Sequence, residues 1–246
     1  MNKKILLFMI ITIIYPNKLS EIDRIIKKTN NQYLLVNDFE TTMNVSLNVP
    51  GFRMPKKKYK VYYKYPKKIK INTKGFGVLP KTGLFTSPAD NFDNLKGLEL
   101  VFHNETPNSI LISGTVISDS LKAQFPNEYA KLTFNPIVDV VVDTSRWIIR
   151  SVTTRIDTVK LFEIINNFEI FENKYYMPIN SKIEYYIKDA KLANWLNNDL
   201  GGIMKMGESI NSSSDVVQGT IKISYDNYKL NRGIPDKIFM KPPQNK

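Results

Sequence analysis

Residues 54–72 read MPKKKYKVYYKYPKKIKIN, and the parity of their side chains decides the fold. Lys58, Lys60, Lys64, Lys68 and Lys70 are even-numbered, whereas Tyr59, Val61, Tyr63, Tyr65, Ile69 and Ile71 are odd. Successive side chains of a strand point to opposite faces. Two strands broken at Pro66 therefore put the lysines on a wet outer face and the aromatic and aliphatic residues inside. A nucleic-acid site needs tyrosines beside the lysines, so that bases stack above the backbone contacts. Only Tyr62 meets that condition here, and nucleic acid is not an expected partner.

The preceding residues form a strand of the same kind. From 39 to 49, Phe39, Met43, Val45, Leu47 and Val49 hold odd positions while Glu40, Thr42, Asn44, Ser46 and Asn48 alternate with them. This predicts a long half-buried strand, turned at Pro50-Gly51. Upstream, Ser20-Glu21-Ile22-Asp23 reads as a capping box, and Ile22, Ile25 and Ile26 share a face of a short helix expected from about 20 to 30. Downstream, 75–97 is rich in Gly, Pro and Asn yet contains Phe76, Leu79, Leu84 and Phe85, the composition of a packed functional loop or a flap.

Further strands are expected at 98–103, 109–117, 136–142, 147–154, 159–170, 183–188 and 220–225, spaced as an antiparallel meander. Across 190–206 the period becomes helical, with Leu192, Trp195, Leu196, Leu200, Ile203 and Met204 on one side and a break at Gly201-Gly202. No internal repeat and no composition shift marks a second domain.

The N-terminus, MNKKILLFMIITIIYPNKLSE, places two lysines before an eleven-residue, mostly apolar run from Ile5 to Tyr15. That is the layout of a secretory signal peptide, and the run is shorter than the roughly 20 residues of a membrane-spanning helix. The expected division is a signal peptide over 1–19 and a single domain over 20–246. The chain has no cysteine, which excludes a disulfide framework, thiol catalysis and a lipid-modified cysteine. An exported product is then expected to be released and not lipid-anchored.

A hydrophobic content of 42% and a mean hydropathy of −0.27 suit a globular protein with a real core. The net charge of +12 is concentrated: between Glu40 and Asp90 there are eleven bases and no acid, and subtracting them leaves +1 for the rest. Only six of the 35 bases are arginine, in a chain rich in Lys, Asn and Ile, a bias that base composition of the gene alone can give.

Groups that move protons, attack or hold a metal are scarce. The single histidine, His103, ends an expected strand and reads as solvated rather than as a catalytic base. There is no His-x-x-x-His, and Gly75-Phe76-Gly77 lacks the Gly-Lys-Ser/Thr of a phosphate loop. No catalysis, metal or cofactor is expected.

What the chain has instead is 13 Phe, 13 Tyr, 2 Trp and 8 Met, spread over about nine strands and two or three short helices. A sheet with one apolar face must cover it with helices, another sheet or a ligand. The fold class is therefore α+β, mainly β: an unclosed antiparallel barrel under a few short helices, either with an apolar cavity or with a fully packed core.

The order of features resembles the LolA-like outer-membrane lipoprotein-sorting family of Gram-negative bacteria. The resemblance spans about 20–240. It rests on a signal peptide, a short helix, a long strand and the junction Val61-Tyr62-Tyr63-Lys64-Tyr65-Pro66. A meander follows, and then the ending GTIKISYDNYKLNRGIPDKIF at 219–239, its most specific part. The resemblance implies a half-barrel whose apolar cavity takes up acyl chains of lipoproteins, or other lipid, in the periplasm. It also implies an inner-membrane release complex as donor and an outer-membrane acceptor. In the known carriers an arginine directly before the junction proline helps hold the lid closed; the matching position here is Tyr65.

On this reading Phe39, Met43, Val45, Leu47, Tyr59, Val61, Tyr63, Tyr65, Ile69 and Ile71 form the lipid-binding wall. Trp195, Leu196, Ile203 and Met204 form the lid, where Met and the Gly-Gly break permit opening. Lys58, Lys60, Lys64, Lys68 and Lys70 form an outward basic face suited to transient docking on a membrane surface or an acidic partner. The alternative is an envelope sensor or interaction protein of the same fold that binds a protein partner.

Overall fold

The structure, a computed structural model, describes residues 18–48, 55–74, 86–102, 107–117, 136–187 and 217–240. The expected signal peptide up to residue 17, His103, the helix expected at 190–206 and its lid residues Trp195, Leu196, Ile203 and Met204 lie outside the described residues.

Helix α1 (Lys18–Tyr33) is followed by ten strands: β1 (Asp38–Asn48), β2 (Lys57–Lys64), β3 (Lys68–Thr73), β4 (Leu95–Phe102), β5 (Ser109–Val116), β6 (Ile137–Asp143), β7 (Ile148–Ile156), β8 (Val159–Phe171), β9 (Tyr175–Ile187) and β10 (Val217–Leu230). They form one antiparallel sheet in the order β3-β2-β1-β10-β9-β8-β7-β6-β5-β4. The first strand thus lies beside the last, and β3 and β4 remain as unpaired edges. The barrel is unclosed, as the sequence predicts.

β1 shows why the pattern works. Phe39, Thr41, Met43, Val45 and Leu47 are buried, and across the strand pair Phe39 meets Tyr63, Thr41 meets Val61 and Met43 meets Tyr59. On its other side Met43 faces Tyr225, Val45 faces Ile223 and Leu47 faces Ile221. Each of the apolar side chains contributes about 1.5–3 kcal/mol by leaving water, so β1, β2 and β10 form a continuous packed seam. This seam belongs to one buried cluster with Ile164, Met177, Ile183 and Tyr185 of β8 and β9. A second cluster joins Ile22 and Ile25 of α1 to Phe92, Leu100, Ile112, Val140, Val142, Ile149 and Val152. Helix α1 therefore lies over the β4–β7 half, on the face its isoleucines predict. It begins two residues before Ser20, so that Ser20 lies in the first turn and does not cap it.

The described end of the chain locks the other half. Asp38 is buried and accepts hydrogen bonds from the backbone N–H groups of Arg232 (2.9 Å) and Gly233 (3.0 Å). Asn231 Oδ1 accepts from the Asn37 amide at 2.7 Å, and Asn231 Nδ2 donates to the Leu35 carbonyl. Beyond it, Asp236 sits between Lys64 (2.6 Å) and Lys68 (2.8 Å), and Lys64 Nζ also donates to the Ile234 carbonyl. The IPDKIF segment is thus a brace across β2 and β3.

Two expectations for the opening stretch need correction. Tyr65 and Ile69 are not interior: they are 49% and 41% exposed. Tyr65 belongs to the turn between β2 and β3, where strand parity no longer applies, and Ile69 lies on an edge strand with a neighbour on one side only. The basic face is also partly spent within the fold. Lys60 pairs with Glu40 at 3.0 Å, and Lys64 and Lys68 hold Asp236, so the charge not engaged in these pairs is that of the exposed Lys58 and the half-buried Lys70.

Candidate functional site

A cavity of about 150 Å³ lies where the two buried clusters meet under the C-terminal half of α1. Its roof is Thr29, Gln32, Tyr33 and Val36. Ile149 and Val152 of β7 wall one side, and Phe39, Tyr63, Tyr225 and Tyr228 wall the other. Ile164, Phe168, Met177 and Pro178 complete the floor on β8 and β9. The lining is largely apolar. Within it the buried Ser181 Oγ donates to the half-buried Asn166 Oδ1 at 2.6 Å.

Local sequence explains how each wall forms. Thr29 follows Ile22 and Ile25 by seven and four residues on one face of α1, and its hydroxyl returns to the Ile25 carbonyl at 2.8 Å. Lys28 lies over the Trp147 ring, 4.3 Å from its centroid, and so ties the helix to the β6–β7 turn. The loop after 85 is packed: Ser87 and Asp90 exchange hydrogen bonds at 3.2 Å across one turn of 3-10 helix (Ala89–Asn91), and this seats Pro88 and Asn91 against the cavity.

The aromatic wall is continuous. Phe39 stacks on Tyr63 at 5.0 Å and meets Tyr228 edge-on at 5.9 Å, while Phe171 meets Tyr228 at 5.2 Å. The Tyr33 hydroxyl donates to the Tyr63 hydroxyl at 2.8 Å, Tyr63 donates weakly to the Pro66 carbonyl at 3.4 Å, and Tyr228 donates to the Pro178 carbonyl at 2.7 Å. Burial pushes Tyr225 up to about 12 and raises Tyr33, Tyr63 and Tyr228, so these hydroxyls stay neutral at physiological pH.

Of the residues expected to bind lipid, Phe39 and Tyr63 line this cavity. Met43, Val45, Leu47, Tyr59 and Val61 are buried in the packed seam and Ile71 half-buried against it, outside the lining. These β1–β2 side chains belong to one packed cluster; the open volume lies under α1. Sequence reasoning missed the contribution of α1, β7, β8 and β9. The hydrogen bond that ties α1 to the sheet runs from Tyr33 to Tyr63, two residues before Tyr65, the position that matches the carriers' arginine. Among the described residues, no three His, Cys, Asp or Glu side chains converge as metal ligands.

No protein-family model matches the chain, and no curated protein matches it by sequence. Solved structures do. A LolA superfamily protein from Nitrosomonas europaea superposes with a TM-score of 0.51 at 14% identity, covering 89% of this chain and 97% of that one. A DUF1329 family protein from Desulfovibrio piger gives 0.46 at 9% identity, with 89% and 97% covered. A domain from Vibrio parahaemolyticus, named as an outer membrane lipoprotein-sorting protein, gives 0.43 at 9% identity, with 88% and 96% covered. The ten-stranded unclosed sheet and the superposition on the N. europaea protein agree: the fold of this chain is LolA-like.

Proposed function

We propose that this protein is a periplasmic carrier that shelters an acyl chain of a lipoprotein or another lipid on its way to the outer membrane, and that it performs no catalysis. The observation that carries this reading is the apolar cavity between α1 and the sheet, in a fold shared with a LolA superfamily protein. An apolar cavity of about 150 Å³ is the size of one that takes up benzene, so it receives one ring of a larger aromatic probe or the end of one acyl chain. Burying roughly six carbons there contributes about 5 kcal/mol, enough to hold one chain end but too little for several chains at once.

The test is uptake of the fluorescent probe N-phenyl-1-naphthylamine by the purified protein. Saturable fluorescence enhancement is expected, falling several-fold in Val152→Phe, whose ring fills the cavity, while thermal unfolding confirms that the variant folds. A folded wild type with no enhancement rejects the carrier.

That most of the β1–β2 wall lies outside the cavity favours a second reading, an envelope protein of the same fold that binds a protein partner. Affinity capture from cell envelopes that recovers one stoichiometric protein and no lipid selects that reading instead.

A further inference from the structure

A second compartment opens on the far side of the Tyr33–Tyr63 pair. It has a volume of about 200 Å³ and is bounded by Pro66, Lys67, Ile69, Thr86, Ser87 and Asp90. Tyr33, Tyr63 and Thr86 line both compartments, so the two hydroxyls stand in the shared wall. Among the described residues no charged side chain lines the inner compartment, whereas Lys67 and Asp90 line the outer one. That division fits an amphiphile, with its chain inside and its head outside.

The chemistry of the outer compartment selects the head. Its side chains are rich in donors: the tyrosine hydroxyls, the Thr86 and Ser87 hydroxyls and the Lys67 ammonium. Its one carboxylate, Asp90, is already engaged. Asp90 accepts from Lys67 at 2.8 Å and from the Ser87 amide at 3.2 Å. Asp90 takes one of three ammonium donors and so holds Lys67 at the opening without exhausting it; the Lys67 side chain is 74% exposed. Tyr63 gives its proton to the Pro66 carbonyl over 3.4 Å, a weak bond that a nearer acceptor displaces at little cost. In sequence, Lys67 belongs to a segment, 41 to 89, that carries eleven bases and no acid.

We infer that the outer compartment is a head-group site for a single-chain amphiphile with an oxyanion head, received by Tyr63 and Lys67 while the chain enters the inner cavity. The inference rests on the carrier reading and narrows its cargo: one chain, with a carboxylate or phosphate at its end. Charge-assisted hydrogen bonds are shorter and stronger than neutral ones, so the head adds selectivity that the apolar cavity cannot supply.

The experiment is displacement of bound N-phenyl-1-naphthylamine by decanoate, decyl phosphate, decanol and decyltrimethylammonium, which share one chain length and differ in the head. The oxyanion amphiphiles are expected to displace the probe at about tenfold lower concentration than the cationic one, with decanol between them. Comparison of decanoate with decyl phosphate distinguishes a fatty acid from a phosphate-bearing lipid as the source of the head. In Lys67→Ala and Tyr63→Phe the preference should fall several-fold, and Lys67→Ala, which lies outside the inner cavity, should leave probe uptake itself unchanged. Equal displacement by all four heads, or a preference that survives both substitutions, overturns the head-group site and leaves the carrier standing. Absence of any probe uptake overturns both.

Discussion

Tyr225 and Tyr228 lie three residues apart in β10, yet both rings face the cavity, with centroids 6.3 Å apart. In a regular strand they would point to opposite faces. The register between β1 and β10 shifts between Glu40 and Thr42, and opposite that shift Asn227 has a φ of +57°. Thr41 Oγ1 donates to the Asp226 carbonyl at 2.8 Å and fixes the bulge. One extra residue therefore turns Tyr228 inward and gives the cavity its aromatic wall.

Asn is among the few residues that tolerate this left-handed conformation. Asn227→Val is expected to destabilise the protein by about 1–2 kcal/mol, with Asn227→Gly close to wild type. Chemical denaturation of the three proteins checks the order. Equal stability of the valine and glycine variants would remove the strained bulge from the account.

The same device recurs at the β4 edge of the sheet. Gly97, at φ +63°, sits where the pairing of β4 with β5 shifts between Lys96 and Glu99, and Leu95 and Leu98 both pack toward the second buried cluster. They close over Gly114: a Cβ there would meet Leu98 Cδ2 at 2.7 Å and Leu95 Cβ at 3.1 Å. Gly114→Val is expected to cost about 1–3 kcal/mol by overpacking, measured as a lowered unfolding midpoint.

The brace at the end of the chain should be acid-sensitive. The ammonium groups of Lys64 and Lys68 hold Asp236 down at about 2. This lies below its unfolded value of about 4, so the stabilisation is present above pH 4 and is lost as pH falls through 2. Carboxyl titration by NMR should place Asp236 near 2, and Asp236→Asn should raise amide exchange across 234–239 at neutral pH.

The outward lysines divide into two kinds. Charge reversal at Lys58 and Lys70 should weaken cosedimentation with vesicles of anionic phospholipid and leave probe uptake and stability within about 0.5 kcal/mol of wild type. Lys64→Glu, by contrast, faces Asp236 and should also loosen the brace. Unchanged cosedimentation of the Lys58/Lys70 variant removes the membrane-docking role.

The strands of regular parity were legible in the sequence: β1 and β2, with Met43, Val45, Tyr59 and Val61, alternate as written, and α1 shows its isoleucine face. The cavity was not legible, because it is built where parity breaks. Tyr228 reaches it through the Asn227 bulge. The early part of β9 contains Pro178, which reads as a turn, yet Pro178 sits at the register shift opposite Phe168, where the ladder is already interrupted. Tyr65 and Ile69 failed for the converse reason: they kept the odd parity of an interior face in a turn and on an edge, where no packing follows from it. The pairing of Lys64 and Lys68 with Asp236 crosses about 170 residues, and no local pattern encodes it.

The central claim is that the cavity under α1 holds an acyl chain, and native mass spectrometry of the protein isolated from the cells that make it tests it most directly. The expected spectrum contains a population carrying one acyl-bearing molecule per chain, and this population is lost in Val152→Phe. A spectrum of bare chain alone, from protein that also takes up no apolar probe, would contradict the account.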